Sequence, residues 1–134
     1  MIPTDIDGQW QNDARRFFDD FVAAFSSLDD ALIAQRYQAP YVSANAAGAL
    51  QVFADQGAIA EYFCAVLAGY RQQGCTTCSY EHLQIVPLGS NAALATVCWR
   101  LFNHDGQQLG CWTESYNLLR LAQGLRIFAS IDHA

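Results

Sequence analysis

The spacing of the apolar residues changes near Gly74, and this change divides the chain into a helical part and a strand-like part. Before residue 74, apolar side chains recur every three or four residues, which is the spacing of one face of a helix. After it, four runs rich in β-branched and aromatic residues are separated by short turn segments. Helices followed by strands are the order of an α+β domain, in which the helices cover one face of a sheet.

The first predicted helix buries an aromatic face, and a second, shorter helix follows it. We expect Ser27 to cap the second helix, because Asp29 and Asp30 would then lie in its first turn, where carboxylates suit the positive end of the helix dipole. This helix is predicted to run to about Tyr37, since Pro40 disfavours helical geometry just before it. The face of the first helix consists of Trp10, Ala14, Phe17, Phe21, Phe25 and Leu28, widened by Phe18 and Val22.

A small hairpin and a third helix complete the first part. Residues 41–45 and 50–53 read as two strands joined by a turn at residues 47–48. Asp55 is predicted to cap the third helix, which ends at Gly74. The apolar face of this helix consists of Ile59, Phe63, Val66 and Tyr70.

The second part is predicted to form an antiparallel meander of four strands, which span residues 76–87, 92–103, 108–121 and 125–131. All three connecting segments have turn chemistry, and they are residues 89–91, 104–106 and 122–124. The sequence contains no linker, internal repeat or low-complexity segment. We therefore expect a single domain over residues 1–134.

A turn at residues 105–106 fixes which residues of its two strands face each other. It places Trp99 opposite Trp112 and Val97 opposite Glu114. We expect the more apolar face of this strand pair to pack against the helices. That face carries Val97, Trp99, Leu101, Trp112, Glu114, Tyr116 and Leu118. In the last strand, the residues predicted to point inward are Leu125, Ile127, Ala129 and Ile131.

Glu114 is the first candidate for acid–base chemistry. Among Trp99, Trp112 and Tyr116, its carboxyl group would be desolvated, which raises the pKa of a carboxyl group and is how a general acid or base is tuned toward neutrality. Two other interpretations stay open. A bulge would turn Glu114 to solvent, or a tyrosine or arginine would hold it as a structural hydrogen-bond acceptor.

Charge and composition exclude several function classes. A formal net charge of −6, with only seven lysines and arginines, leaves no basic stripe for a phosphate backbone, so nucleic acid is not an expected partner. Residues 1–16 contain no apolar core after a basic start, and no stretch is long enough to cross a bilayer, so we expect a cytoplasmic protein without membrane contact. With 52% apolar residues, one hydrophobic core is expected without support from a metal or a disulfide.

The spacing of cysteines and histidines does not indicate a metal or redox site. An odd number of cysteines, five, favours buried thiols over a disulfide framework. Cys75 and Cys78 have CxxC spacing, but they precede a strand instead of opening a helix. His82, His104 and His133 lack the spacing of metal ligands, and each is expected to face solvent or to have a structural role. An alternative for His133, at the end of the last strand, is a position near the mouth of a pocket. We predict no metal and no cofactor, and the GxSxG, P-loop and GxGxxG motifs do not occur.

The order of these elements and several motifs resemble the nuclear transport factor 2-like superfamily, which includes ketosteroid isomerase and small polyketide cyclases. The resemblance rests on residues 21–37, on the motif Val-Phe-Ala-Asp at 52–55, and on residues 95–101, 115–120 and 124–127. It implies a cone-shaped, cystatin-like α+β roll, with three helices on a strongly curved, mixed but mainly antiparallel sheet. It also implies a pocket between the helices and the sheet, and a homodimer formed through the sheet. The outward residues that would suit such an interface are Phe102, Leu119, Phe128, Cys98 and Cys111.

The resemblance also implies where ketosteroid isomerase chemistry would lie. That enzyme uses an aspartate base after the second helix and an oxyanion hole made by a tyrosine and a protonated aspartate. In this sequence Phe21 falls at the helix tyrosine, Asn45 at the base and Tyr116 near the sheet aspartate. Steroid isomerisation of that kind is therefore not expected, and Glu114 remains the candidate for proton transfer.

Two function classes fit these residues, and they leave open whether the protein is an enzyme. In the first, a pocket binds a small, largely apolar molecule, and Glu114 and Tyr116 carry acid–base chemistry of isomerase, cyclase or dehydratase type. Phe21, Tyr41, Asn45, Phe63, Trp99 and Trp112 would form its binding walls. In the second, the cone is filled by its own aromatic residues, and the protein is a non-catalytic homodimeric interaction module.

Overall fold

The computed structural model describes residues 6–27 and 29–134, so Leu28, which the sequence places on the first helical face, lies outside the described residues. The helices are α1 (Ile6–Ser26), α2 (Asp30–Ala34) and α3 (Gln56–Gln72). The strands are β1 (Tyr37–Ala44), β2 (Leu50–Phe53), β3 (Cys75–Pro87), β4 (Ala92–Asn103), β5 (Gln108–Leu121) and β6 (Gly124–Asp132). Helices followed by a meander confirm the predicted α+β order.

One open sheet of six strands, in the order β2-β1-β6-β5-β4-β3, forms the base of the fold. The pairing of β1 with β6 is parallel and the other four pairings are antiparallel, so the sheet is mixed and mainly antiparallel, as predicted. Register shifts interrupt four of the five strand pairings. Because bulges bend and twist the strands that carry them, these shifts curve the sheet around the helices.

The aromatic face of α1 packs on the sheet as its spacing predicts. Trp10, Phe18 and Phe21 are buried in this contact. The Trp10 indole donates a hydrogen bond of 3.1 Å to the Gly89 carbonyl, and the Arg120 guanidinium lies 4.3 Å from the centre of the indole ring. The start of α1 is thereby fixed to the turns at one end of the meander.

The second helix is shorter than predicted, and its cap is a different residue. Asp29, not Ser27, caps α2, because the Asp29 carboxylate accepts the Ala31 N–H at 2.9 Å. The Ser27 hydroxyl instead donates to the Ala24 carbonyl at 2.6 Å. The helix ends at Ala34 and not near Tyr37, because pairing with β6 draws residues from Tyr37 onward into strand β1.

The hairpin and the third helix agree with the sequence. Antiparallel pairing of β1 and β2 places Tyr41 opposite Phe53. Asp55 caps α3 by accepting the Ala58 N–H at 2.8 Å. Gly74 follows the helix with a φ of +85°, a left-handed conformation that glycine adopts at no steric cost. The buried face of α3 consists of Ile59, Phe63 and Leu67, with Val66 and Tyr70 partly buried beside it.

The predicted register of the central hairpin is confirmed from Leu101 onward, whereas Phe102, next to the turn, pairs with Gln108, one residue out of that register. Trp99 pairs with Trp112, and Val97 pairs with Glu114. Val97 and Trp99 are buried against the helices. Glu114 is therefore on the inward face of the sheet, and the interpretation in which a bulge turns it to solvent is wrong.

The prediction for the last strand is wrong after Ile127. Leu118 pairs with Ile127, whereas its neighbour Asn117 pairs with Ala129, so one additional residue is inserted into β6. An inserted residue exchanges the two faces of every position that follows it. Beyond the bulge, Ser130 is 3% exposed, whereas Ile131, predicted to point inward, is 50% exposed. The other residue predicted inward after the bulge, Ala129, is half-buried.

None of the helices among the described residues has the length and apolar character needed to span a membrane.

Candidate functional site

A cavity of about 380 Å³ lies between the helices and the inward face of the sheet. All eight residues that the sequence singles out for a pocket line this cavity: Phe21, Tyr41, Asn45, Phe63, Trp99, Trp112, Glu114 and Tyr116. They come from α1, β1, α3, β4 and β5, and from the turn after β1, and the order of the strands in the sheet brings them together. Their roles in binding and chemistry remain predictions.

Aromatic rings form the cavity walls. Phe21 of α1 packs against Trp99 with ring centres 5.2 Å apart. On the other side, the Tyr37 ring centre lies 4.6 Å from that of Phe63 and 4.7 Å from that of Tyr41. These rings contact one another and still leave open space, so they do not fill the cone. The walls suit a largely apolar molecule.

Glu114 supplies a carboxyl group to this apolar cavity. The Trp112 indole, two residues away on the same face of β5, donates a hydrogen bond of 2.9 Å to Glu114 Oε1. Desolvation by burial raises the pKa of Glu114 to about 7, and the negative charge of Asp132 adds to this effect, while the hydrogen bond from Trp112 opposes it. Glu114 keeps some accessible surface because the cavity reaches it, although protein atoms surround its carboxyl group.

Tyr116 and Trp99 extend the hydrogen bonds away from Glu114. The Trp99 indole donates to the Tyr116 hydroxyl at 2.7 Å, and both side chains are buried. The Tyr116 hydroxyl in turn hydrogen bonds to the Glu114 carboxyl group, which lowers the Glu114 pKa. Burial and the nearby charge of Glu114 raise the pKa of Tyr116 well above its ordinary value, so Tyr116 stays protonated and acts as a donor.

Asp132 completes the polar side of the cavity, and the sequence analysis missed it. The bulge in β6 places Asp132 opposite Glu114 on the inward face, where its side chain lines the cavity. A hydrogen bond with Asp132 raises the pKa of Glu114 further, in addition to the effect of the Asp132 charge. The sequence did contain a signal for Asp132. Ser130 and Asp132 are polar residues at i and i+2, which share one face of a strand, and this pattern indicates a polar patch at the end of β6.

A second polar pair lies in the same cavity. The Tyr41 hydroxyl and the Ser130 hydroxyl form a hydrogen bond of 2.6 Å, and both residues are buried. Burial raises the pKa of Tyr41. This pair therefore offers neutral hydroxyl groups, which can orient a polar group of a ligand.

Two predicted or suggested positions lie away from the chemistry. Asn45 is exposed and lines the cavity near the hairpin, where its side-chain oxygen accepts the Ala47 and Ala49 N–H groups at 3.0 and 2.9 Å. His133 does not line the cavity, and its ring instead forms a hydrogen bond of 2.7 Å with the Ser115 hydroxyl. The placement of His133 near a pocket mouth is therefore wrong, because the bulge turns Asp132 inward and its neighbour outward.

No cluster of three or more histidine, cysteine, aspartate or glutamate side chains suited to a metal ion occurs in residues 6–27 and 29–134. All five cysteines have free thiols. Cys78 lines the cavity, but burial raises the pKa of its thiol to about 12, so the thiolate needed for nucleophilic or redox chemistry is not formed near neutral pH.

Helices packed on a curved, open, mixed sheet with a cavity between them define the nuclear transport factor 2-like class. The chain belongs to the family of NTF2-like proteins described as DUF6841, which it matches over residues 12–134. No curated protein matches the chain.

Solved structures with low sequence identity share this fold. Aln2 from a Streptomyces species has a TM-score of 0.75 at 14% identity, with 99% of this chain and 94% of that chain covered. An NTF2-like protein with a cystatin-like fold from Novosphingobium aromaticivorans has a TM-score of 0.74 at 14% identity, covering 93% and 81%. A ketosteroid isomerase-like protein from Erwinia carotovora atroseptica has a TM-score of 0.66 at 14% identity, covering 92% and 95%. At this identity the similarity establishes the fold and leaves the activity open.

Proposed function

We propose that this protein binds a small, largely apolar molecule in its cavity and transfers a proton on it through Glu114. One observation carries the proposal: the Glu114 carboxyl group has a pKa of about 7 and borders an aromatic cavity of about 380 Å³. A group that is half protonated near neutral pH serves equally well as acid and as base. The volume lies within the range of small-molecule sites, which is about 300–1,000 Å³.

The neighbours of Glu114 have distinct roles in this proposal. Trp112 orients the carboxyl group by its hydrogen bond to Oε1. Tyr116 is a neutral donor next to the same carboxyl group. Asp132 lies beside Glu114, and its negative charge and its hydrogen bond to Glu114 help to raise the Glu114 pKa toward neutrality.

The chemistry that follows is the relocation of a proton within the bound molecule. Glu114 as a carboxylate takes a proton from carbon next to a carbonyl group. As its charge is neutralised, the Tyr116 hydroxyl is released from the carboxylate and donates its hydrogen bond to the developing oxyanion instead. Glu114 then returns the proton at another atom of the same molecule. Depending on the substrate, this sequence is an isomerisation, a cyclisation or a dehydration, and it consumes no oxidant or reductant.

The alternative, a non-catalytic homodimeric module with a filled core, has less support. It expects aromatic side chains to occupy the cone. Open space beside Glu114 and an ionisable pair of carboxyl groups in that space argue against a purely structural core, because burying carboxyl groups costs folding free energy that an apolar core avoids.

Titration of the Glu114 carboxyl carbon by NMR, with and without a panel of small apolar carbonyl compounds, tests ligand binding. We expect a pKa near 7 that moves when a ligand binds. Glu61, which is exposed on α3, provides the reference signal, which should stay in place when ligand is added. A Glu114 pKa near the reference value of about 4.3 that no compound moves would contradict the proposal.

Exchange of ligand protons for deuterium tests catalysis without knowledge of the product. Any compound that binds is incubated with the protein in D₂O, and deuterium incorporation is followed by mass spectrometry. We expect incorporation with wild type and with Glu61→Gln, and a rate lower by about 100-fold or more with Glu114→Gln. Equal rates for wild type and Glu114→Gln would exclude Glu114 as the proton-transfer group.

A further inference from the structure

A second cleft, of about 340 Å³, lies between α1 and the turn that joins β5 to β6. The chain contains no lysine, so its seven basic residues are all arginines. Four of them line this cleft, namely Arg16, Arg36, Arg120 and Arg126, together with the acidic residues Asp13 and Asp20. The cleft therefore has a net positive charge in a chain whose formal net charge is −6.

One of the four arginines is fully engaged by the protein. The Arg120 guanidinium forms an ion pair of 2.8 Å with Asp13 and donates to the Ser90 carbonyl at 3.1 Å. It also lies over the Trp10 ring. Arg120 and Asp13 therefore neutralise each other and hold α1 on the sheet.

The other three arginines have no carboxylate partner within 4.0 Å among residues 6–27 and 29–134. Nε of Arg36 is buried and has no hydrogen-bond partner. Arg126 donates only to the neighbouring Leu125 carbonyl, at 2.9 Å. Arg16 is exposed at the rim of the cleft, as is Asp20. A buried donor without a partner costs free energy of folding, so Arg36 Nε lacks a hydrogen-bond acceptor, which the protein alone does not supply.

Two of the unpartnered arginines are also neighbours. The Ile127 N–H donates to the Arg36 carbonyl at 2.8 Å, which places Arg36 beside Arg126 across the β1–β6 pairing. Desolvation lowers the pKa of Arg126, and the positive charge of Arg36 lowers it further. Like charges held side by side are destabilising, and the only acidic residue of the cleft not already paired is exposed Asp20.

We propose that this cleft binds an oxyanion group, a phosphate or a carboxylate carried by a small molecule, with Arg36 and Arg126 as its ligands and Arg16 at the rim. Guanidinium groups present paired donors that match the oxygens of either anion. An anion would supply the missing partner of Arg36 Nε and relieve the repulsion between Arg36 and Arg126. The site is separate from the Glu114 cavity, and the proposal does not depend on the function proposed for that cavity.

Calorimetric titration with inorganic phosphate and, in a second arm, with malonate tests the proposal at constant ionic strength. We expect wild type to bind at least one of the two anions. Arg15→Gln is the control, because Arg15 lies on α1 beside Arg16 but does not line the cleft, and this variant should bind the same anion. Arg36→Gln and Arg126→Gln should each weaken binding by about tenfold or more. The arm that binds more tightly identifies the anion class.

Thermal unfolding without added anion is the second measurement. Because Arg126→Gln removes a repulsion, we expect its melting temperature in chloride buffer to equal or exceed that of wild type, while the increase caused by phosphate or malonate is lost. Wild type that binds neither anion, or equal binding by wild type, Arg36→Gln and Arg126→Gln, overturns the proposal. A melting temperature that falls in Arg126→Gln also overturns it, because the arginine would then be structural.

Discussion

At the scale of single residues, the state of Glu114 results from opposing influences. Desolvation is the largest, and it raises the pKa, as do the charge of Asp132 and the hydrogen bond with its side chain. The hydrogen bonds from Trp112 and Tyr116 stabilise the carboxylate and lower the pKa. Desolvation prevails, and the pKa of Glu114 is about 7.

This raised pKa links the stability of the protein to pH. Between pH 4.5 and about 7, the folded protein holds a proton on Glu114 that the unfolded chain has released. The free energy of unfolding therefore falls as the pH rises through this window. Since one pKa unit corresponds to about 1.4 kcal/mol, Glu114 lowers stability above pH 7 by about 3 kcal/mol relative to pH 4.5. Glu114→Gln should remove this loss and be the more stable protein at pH 8.

Urea unfolding at a series of pH values measures the effect. The difference in unfolding free energy between Glu114→Gln and wild type should be larger at pH 8 than at pH 4.5. Glu61→Gln changes an exposed carboxyl group on α3 and should follow the wild-type curve. Parallel curves for Glu114→Gln and wild type would mean that the Glu114 pKa is the same in the folded and unfolded states.

At the scale of elements, strand pairing decides which residues reach the cavity. The turn between β4 and β5 indicates their pairing only approximately. Phe102 pairs with Gln108, one residue out of the predicted register, and a bulge at Leu109 restores that register from Leu101 onward, so that Trp99 and Glu114 lie where the sequence places them. The bulge in β6 was not predictable in the same way. One inserted residue leaves no change in composition, and Ile127, Ala129 and Ile131 continue an apolar alternation that the strand does not follow.

The bulge makes Asp132 a partner of Glu114, and this contact predicts the sign of a pKa change. Asp132→Asn removes the charge that raises the Glu114 pKa, so that pKa should fall below its wild-type value of about 7. The titration of the Glu114 carboxyl carbon measures it. Asp105→Asn, in the exposed β4–β5 turn, is the matched control and should leave the pKa unchanged. An unchanged pKa in Asp132→Asn would show that the two carboxyl groups do not interact, and a higher pKa would show that Asp132 stabilises the Glu114 carboxylate.

At the scale of the whole molecule, the sequence predicts the fold better than the site. The order of helices and strands follows from the change of apolar spacing near Gly74 and from the turn segments. Both are patterns of neighbouring residues, so they can be recognised in the sequence without knowledge of tertiary contacts. The cavity depends on how far apart the packed elements remain, and the aromatic residues that line it, such as Phe63 and Trp99, would look the same in a filled core. The sequence therefore predicts which residues line the cavity, whereas the volume of the cavity depends on how the elements pack.

The outward face of the sheet leads to a last prediction, that two copies of the chain associate through it. Cys98 of β4 lies on that face and is half-buried, as are Phe102 and Leu119, so apolar surface remains that a second copy would cover. Cys98→Arg should weaken a homodimer, because a charged side chain would be buried in the contact. Light scattering during size-exclusion chromatography should give the dimer mass for wild type and for Leu50→Arg, a control on exposed edge strand β2, and the monomer mass for Cys98→Arg. A monomeric wild type, or a dimer that Leu50→Arg disrupts and Cys98→Arg preserves, would place the association elsewhere or exclude it.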